Sequence, residues 1–244
     1  VNNSTVTILH SDKNLGFARG NNIGFSYAKN NIQANFIVLL NNDTLINQAT
    51  FNEKIVQKFD EKHYFVLGPD IVTADGFHQN PGKKQSWGIF ELVLYRLKKR
   101  IRILLTYLHI DHTAAKIMET VKDVYLKEPI IGDVENTILH GACLIFSPSY
   151  LKHFDGICDK TFLYWEEDIL KLQADFYGFL MMYSSDLVVY HKEDIATNMI
   201  IGTPEEKARR KYKMLIKSSV IYSQMKKNML IQKGYITHRK NREK

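Results

Sequence analysis

Four side chains have the types and order for acid–base and metal chemistry: Asp43, Glu167, Asp168 and His191. Asp43 follows the apolar run Phe36-Ile-Val-Leu-Leu40 and the polar pair Asn41-Asn42. Such a run predicts a strand buried on both faces. A parallel strand of this kind delivers its terminal acid to the carboxyl edge of a sheet, where open α/β sheets bind ligands. A carboxylate there offers a hard oxygen suited to Mg²⁺ or Mn²⁺. Glu167 and Asp168 open a predicted helix, just after the aromatic stretch Phe162-Leu-Tyr-Trp165. His191 closes the late apolar run Leu187–Tyr190. A divalent cation shared by Asp43 and His191 would bind a diphosphate and offset its charge as it leaves. Asp168 would take the proton of an incoming hydroxyl. Each piece alone has an ordinary explanation: an Asx turn, acids favoured by a helix dipole, a structural histidine. Their order and spacing carry the reading.

The intervening elements must position these groups. Thr5–Leu9 is β-branched and apolar and predicts a short strand. Asn14-Leu-Gly-Phe-Ala-Arg-Gly-Asn-Asn-Ile-Gly24 predicts a donor-rich loop running into a helix from near Gly20 to Asn30, a ready anion site. Thr50–Asp60 reads as a helix with Phe51, Ile55, Val56 and Phe59 toward the core. Tyr64–Leu67 reads as a strand closed by Gly68-Pro69-Asp70. Strands are expected at Ile138–Ser147, Leu180–Tyr183 and Leu187–Tyr190, and helices at Pro148–Phe154, from the Phe162–Asp168 stretch through about Tyr177 with Glu167 and Asp168 at its start, and from Pro204 to about Asn228. Gly178 suits a helix stop. The tail from Lys233 is polar and basic, and fraying is expected there. Alternating strands and helices predict an α/β layered fold.

Between Trp87 and Ile110 apolar residues interleave with Arg96, Lys98, Lys99, Arg100 and Arg102. That pattern predicts an amphipathic helix or helix pair. Two placements remain open for it: on an anionic membrane surface, or packed over the cleft with solvated lysines. Residues 111–137 have weak periodicity and predict a flexible or helical excursion.

The chain has 244 residues, 33 Lys and Arg against 26 acids, and a formal charge of +7, which favours anionic partners. The basic residues cluster on helices without a nucleic-acid-binding motif, so no nucleic-acid partner is expected. Cys143 and Cys158 fit neither a metal spacing nor a disulfide framework, which points to a reducing compartment. No run approaches the roughly 18 apolar residues of a spanning helix.

Seven segments together resemble the family 2 glycosyltransferases, in particular a bacterial rhamnosyltransferase-like branch. They are Asn14–Gly24, Leu39-Leu-Asn-Asn-Asp-Thr44, Gly68-Pro-Asp-Ile71, Gly141-Ala-Cys-Leu-Ile-Phe146, Phe154-Asp-Gly156, Phe162–Asp168 and Val189-Tyr-His191. The resemblance implies a nucleotide-diphospho-sugar transferase-like mixed sheet flanked by helices. It also implies inverting transfer of a sugar from a nucleotide-diphosphate donor to a glycan or lipid-linked glycan acceptor in bacterial surface polysaccharide synthesis. Asp43 and His191 would be the Mg²⁺ or Mn²⁺ ligands, Asp168 the general base with Glu167 beside it. Asn14, Arg19, Asn22 and Asn42 would line the donor pocket, and Tyr164 and Trp165 the acceptor side. A cytoplasmic location with peripheral contact at the inner face of a membrane is expected.

This sequence departs from the family pattern in two places. Leu170 stands where many relatives carry a further acid, and no Arg precedes Gly178 in that helix. The residues from Val1 resemble those that follow the family's second strand, so the fold is expected to lack the first strand, its helix and the second strand. On that expectation residues 1–200 form a partial transferase-like domain with its excursion at about 85–137, and 201–244 a basic helical extension. The competing reading is a non-catalytic glycosyltransferase-like module that binds a membrane or a partner.

Overall fold

The computed structural model describes residues 6–84, 86–109, 128–192 and 202–242. Six strands and six helices lie along them in this order: α1 (Phe17–Asn30), β1 (Ile37–Leu40), β2 (Thr44–Leu45), α2 (Phe51–Lys62), β3 (Val66–Thr73), α3 (Ile89–Tyr107), β4 (Asp133–Glu135), β5 (Cys143–Phe146), α4 (Pro148–Leu151), α5 (Glu166–Tyr177), β6 (Met181–His191) and α6 (Pro204–Arg242). The strands form one mixed sheet in the order β1-β5-β3-β6-β2, with β4 also on β6. Only β3 and β6 run parallel, while β1 and β3 flank β5 antiparallel.

The core has two sheet-centred clusters and a helical one. Phe25 and Ala18 of α1 join Ile37, Leu39, Phe146 and Tyr150 on one side, with Phe25 edge-on to Phe146 at 5.3 Å between ring centroids. Phe51 and Ile55 of α2 join Leu67, Ile145, Met182 and Val189 in the second. Leu92, Trp165, Ile169, Tyr222 and Met225 tie α3, α5 and α6 together in the third. Aromatic pairs in edge-on geometry add about 0.5–1.5 kcal/mol beyond their buried area.

Several elements depart from the sequence expectations. Residues 6–10 are irregular and exposed, with no strand. β1 is antiparallel rather than parallel, and stands at the end of the sheet. Its Ile37 and Leu39 are buried, but Val38 and Leu40 reach solvent, so it is not covered on both faces. β3 runs through Gly68-Pro69-Asp70 instead of stopping there. A proline lacks the ladder N–H, and here the register slips between Pro69 and Asp70, the kind of irregularity that tolerates it. The two short late strands are one strand, β6. Its first part pairs with β4 and its last residues with β2. Asp133–Glu135, expected in the excursion, is strand β4; residues 110–127 of that stretch lie outside the described residues.

The helices start and stop for local reasons. α1 begins at Phe17, three residues before the expected start. Gly16 there has φ 79° and its Cα lies so close to Phe162 that an added Cβ would meet the carbonyl oxygen at 2.1 Å. α5 ends where Gly178 takes φ 74°, the left-handed stop expected from the sequence. Lys58 of α2 reaches Asp133 of β4 at 3.0 Å and Asp186 in β6 at 2.7 Å. Burial works against its charge, but the hydrogen bonds to Asp186 and Asp133 outweigh it and hold the ammonium above its ordinary value. α6 continues past Asn228, through Arg242, and packs antiparallel to α3: Lys226 bonds the Trp87 carbonyl, Arg96 bonds Ser223 at 2.9 Å, and Arg209 bonds the Thr106 carbonyl at 3.4 Å.

Candidate active site

Asp43 and His191 meet because β2 pairs with the end of β6. Thr44 stands opposite His191, and the Lys192 N–H donates to the Asp43 carbonyl at 2.9 Å. Both side chains are buried, and His191 Nε2 lies 3.3 Å from Asp43 Oδ1. The pair is too poorly aligned to count as a hydrogen bond, so Asp43 Oδ1 is a buried oxygen without a hydrogen-bond partner. The other imidazole nitrogen, Nδ1, sits 2.8 Å from Gln79 Oε1. In the tautomer that donates from Nδ1 to that oxygen, the Nε2 lone pair faces Asp43.

The helix-start acids come close to the same region through the residues before β5. Asn80 is almost wholly buried; its amide donates to the Pro69 carbonyl and its Oδ1 accepts from the His140 N–H, each at 2.8 Å. The Asn41 N–H donates to the Ala142 carbonyl at 3.0 Å. Held in this way, the His140 ring lies 5.8 Å from the His191 ring. The next residue, Gly141, abuts Glu167 so closely that an added Cβ would come within 2.4 Å of Glu167 Oε1. His140 and Gly141 thus lie between the Asp43–His191 pair and Glu167, while the cavity that Glu167 and Asp168 line is not lined by Asp43 or His191.

Glu167 and Asp168 line a cavity of about 270 Å³ with Phe17, Trp87, Tyr95 and Tyr164. Burial, reinforced by the Glu166 and Asp168 carboxylates, pushes the Glu167 carboxyl up to about 7. Asp168 is also raised, first by burial; the Trp87 indole N–H, donating to Oδ1 at 2.7 Å, and the Lys83 ammonium pull the other way. Tyr164 and Trp165 both take left-handed backbone, φ 70° and 75°, at the turn into α5. Such a conformation is uncommon for bulky side chains and clusters at functional sites. Trp165 is buried, with the rings of Trp87, Tyr95 and Tyr222 each 5.2 Å away, while Tyr164 keeps a half-buried place on the cavity wall.

The expected donor-side residues divide. Asn42 is exposed beside Asp43. Asn14 accepts from the Gly16 N–H at 3.0 Å and shapes the turn into α1. Arg19 is exposed, 3.6 Å from Asp159, and lines a separate cavity of about 210 Å³ with Lys160 and Lys217. The Asn22 side chain is committed to the Ile157 backbone, donating to its carbonyl at 2.8 Å and accepting from its N–H at 2.9 Å. Gln79, Asn80, His140 and Trp87 were not singled out by sequence reasoning. For His140 a signal existed, since it precedes the small pair Gly141-Ala142 at the mouth of an apolar run. Gln79 and Asn80 sit in a turn-rich stretch with nothing to distinguish them.

Residues 2–122 match the family model of Glycosyl transferase family 2. The match supports a glycosyltransferase of family 2, with a nucleotide-sugar donor and a glycan acceptor in general terms. The mixed sheet flanked by helices is consistent with the nucleotide-sugar transferase fold. The matched segment carries Asp43, Asn14, Arg19, Asn22 and Asn42; Glu167, Asp168 and His191 lie beyond it. No curated protein matches the chain.

Family 2 is generally dependent on a divalent metal, and Asp43 and His191 fit one. They offer a buried, unpartnered carboxylate oxygen and an imidazole whose second nitrogen is engaged by an oxygen acceptor. Among the described residues no group of three or more His, Cys, Asp and Glu forms a metal cage.

Proposed function

We propose that this family 2 protein is an inverting, metal-dependent glycosyltransferase of bacterial surface polysaccharide synthesis. It would act in the cytoplasm, with peripheral contact at the inner face of a membrane. The donor is a nucleotide-diphosphate sugar and the acceptor a hydroxyl of a glycan or lipid-linked glycan. Asp43 and His191 would hold Mg²⁺ or Mn²⁺, which supplies positive charge to the departing diphosphate. Asp168 takes the acceptor proton, with Glu167 beside it, as the hydroxyl oxygen bonds the anomeric carbon and the nucleoside diphosphate leaves. Tyr164 and Trp165 would shape the acceptor side and Asn42, exposed beside Asp43, the donor side; Asn14 and Asn22, whose side chains hold backbone, would act there only by shaping the loop, and Arg19 from its separate cavity.

One observation carries the reading: the orphaned Asp43 oxygen beside the oriented His191 imidazole, two groups 148 residues apart in sequence (191 − 43) brought within 3.3 Å. A buried carboxylate oxygen without a partner costs stability, and a bound cation removes that cost.

The test is a screen of nucleotide sugars for nucleoside diphosphate release with Mn²⁺, alongside Mn²⁺ titration of the chain and of Asp43→Ala. Turnover that needs Mn²⁺ and is lost in Asp43→Ala is the expected result. Mn²⁺ binding unaffected by Asp43→Ala, with no turnover on any donor, would leave the non-catalytic binding module as the correct reading.

A further inference from the structure

α3 buries Leu92 in the helical core yet carries a second apolar line to solvent, with cationic side chains on its inner side. A surface helix normally presents its apolar stripe to the body of the protein and its charges to water. Here the residues facing α6 include Arg96, Lys99, Arg102 and the buried Thr106. Arg96 bonds Ser223, and the Lys99 ammonium lies 5.3 Å from the ring centres of both Tyr95 and Tyr212. The Arg102 guanidinium lies 5.9 Å from the Tyr212 ring centre. The opposite face carries Phe90, Leu94, Leu97, Ile101, Leu104 and, one residue past the helix, Leu108. The spacing 4-3-4-3-4 keeps them on one line. Phe90 is 73% exposed, Leu97 50% and Leu104 59%. At about 1.5 Å per residue the line is about 27 Å long.

We propose that this stripe is the surface by which the protein lies on an anionic lipid bilayer. The charges flanking it choose the occupant. Lys98 and Arg100, both exposed, stand roughly 80° to either side of the mid-line at 3.6 residues per turn. Among residues 89–107 Glu91 is the sole acid, against five Lys and Arg. A second copy of the helix, in either direction, would bring cationic borders together and repel. Anionic headgroups complement both borders at once. The long basic side chains can lay their stems along the apolar face and keep their charges among the headgroups. No described helix is long and apolar enough to cross a membrane, so the helix lies in the interface plane. α6, packed along the inner face, fastens the helix to the sheet domain.

This deepens the proposed membrane contact by naming its surface and its lipid chemistry, and it is read without any donor or turnover. Cosedimentation of the 244-residue chain with vesicles of phosphatidylcholine, and of phosphatidylcholine mixed with phosphatidylglycerol, tests it. Binding is expected on the anionic vesicles and far less on the neutral ones. Leu97→Ser/Ile101→Ser should weaken it roughly tenfold or more, and Lys98→Glu/Arg100→Glu comparably. A Leu97→Trp variant keeps the stripe apolar and should show an emission blue shift on anionic vesicles. Vesicle binding that both double substitutions leave intact, or no binding and no blue shift with folded protein, overturns the proposal. So does a dimer in sedimentation equilibrium that Leu97→Ser/Ile101→Ser dissociates, which would assign the stripe to a second copy. Nucleoside diphosphate release with a soluble acceptor should be unchanged in Leu97→Ser/Ile101→Ser, so failure here and failure of the transferase reading are separable.

Discussion

Asp43 is held against an imidazole at the end of a strand pair, whereas Glu167 is held among other carboxylates at the start of a helix. The first arrangement leaves a buried oxygen without a hydrogen bond beside an imidazole nitrogen. The second raises the proton affinity of its carboxyl to about 7 through burial and like charge. A carboxylate facing an imidazole lone pair is suited to share a cation. A carboxyl that titrates near neutrality is suited to exchange a proton. The sheet builds one end, from β2 and β6. The helical layer builds the other, where α5 meets Trp87 just ahead of α3. Separating the two by substitution tests whether metal and proton roles are divided in this way.

The largest expected effect is on turnover from the helix end. Glu167→Gln and Asp168→Asn should each lower nucleoside diphosphate release by about 10²–10⁴-fold, the usual range for a general base. Mn²⁺ affinity should be unchanged. Stability supplies a second signature for Glu167. Its folded carboxyl titrates at about 7 against 4.5 for the ordinary group, so the folded state binds the proton more tightly. Folding therefore loses stability as pH rises from 4.5 through 7, and the deficit persists above that. Glu167→Gln removes the buried charge and should raise thermal stability at pH 8 by no more than about 3 kcal/mol, discounted for partial solvent contact. Unchanged turnover in both variants would remove the proton role from this end.

Asp43→Ala should act on the opposite quantity. Mn²⁺ binding is lost, and turnover falls by about 10²-fold or more as the charge supplied to the leaving diphosphate goes. Thermal stability should hold or rise, because the substitution deletes an unsatisfied buried oxygen. If stability instead drops sharply while Mn²⁺ affinity stays, Asp43 is a structural partner of His191 and the division between the two ends fails.

Much of this layout is readable from sequence because it depends on local pattern. The apolar run ending in Asn-Asn-Asp, the acids after four apolar and aromatic residues, and Gly178 each announce a strand end, a helix start or a helix stop. The strand boundaries that failed are those decided by tertiary context. β3 continues through Pro69 because β6 shifts register beside it, and β1 shows two apolar side chains to solvent because it ends the sheet. The orientation of α3 was open for the same reason. Its stripe is plain in the sequence, but only the aromatic and hydroxyl partners on α6 show that the cationic side faces inward. Gln79 and Asn80 were illegible: their roles arise from what lies opposite them, His191 and the backbone of Pro69 and His140.

A smaller effect is expected where Gln79 supports His191. Gln79→Leu takes the acceptor from Nδ1, and the imidazole is then free to carry its proton on Nε2, facing Asp43. Loss of such an outer partner typically costs 10–100-fold in metal affinity, so Mn²⁺ titration should show a weakening of about that size with the Glu167 pH behaviour unaltered. An effect on the pH profile without one on Mn²⁺ would place His191 with the proton end rather than the metal end.

Trp87→Phe should have the smallest effect and the sharpest meaning. Its indole N–H donates to Asp168 at 2.7 Å and favours the charged carboxylate. Removing that bond raises the Asp168 pKa further, while Glu167 keeps its own causes: burial and the neighbouring carboxylates. A hydrogen bond to a charged group is worth about 1.5–3 kcal/mol, which corresponds to about one to two pH units. If Asp168 is the base, the acid limb of kcat/KM should move upward by that amount, with little change at pH values above both limbs. A limb that stays near 7 in Trp87→Phe and disappears in Glu167→Gln would instead assign proton removal to Glu167, and Asp168 would be the group that orients it.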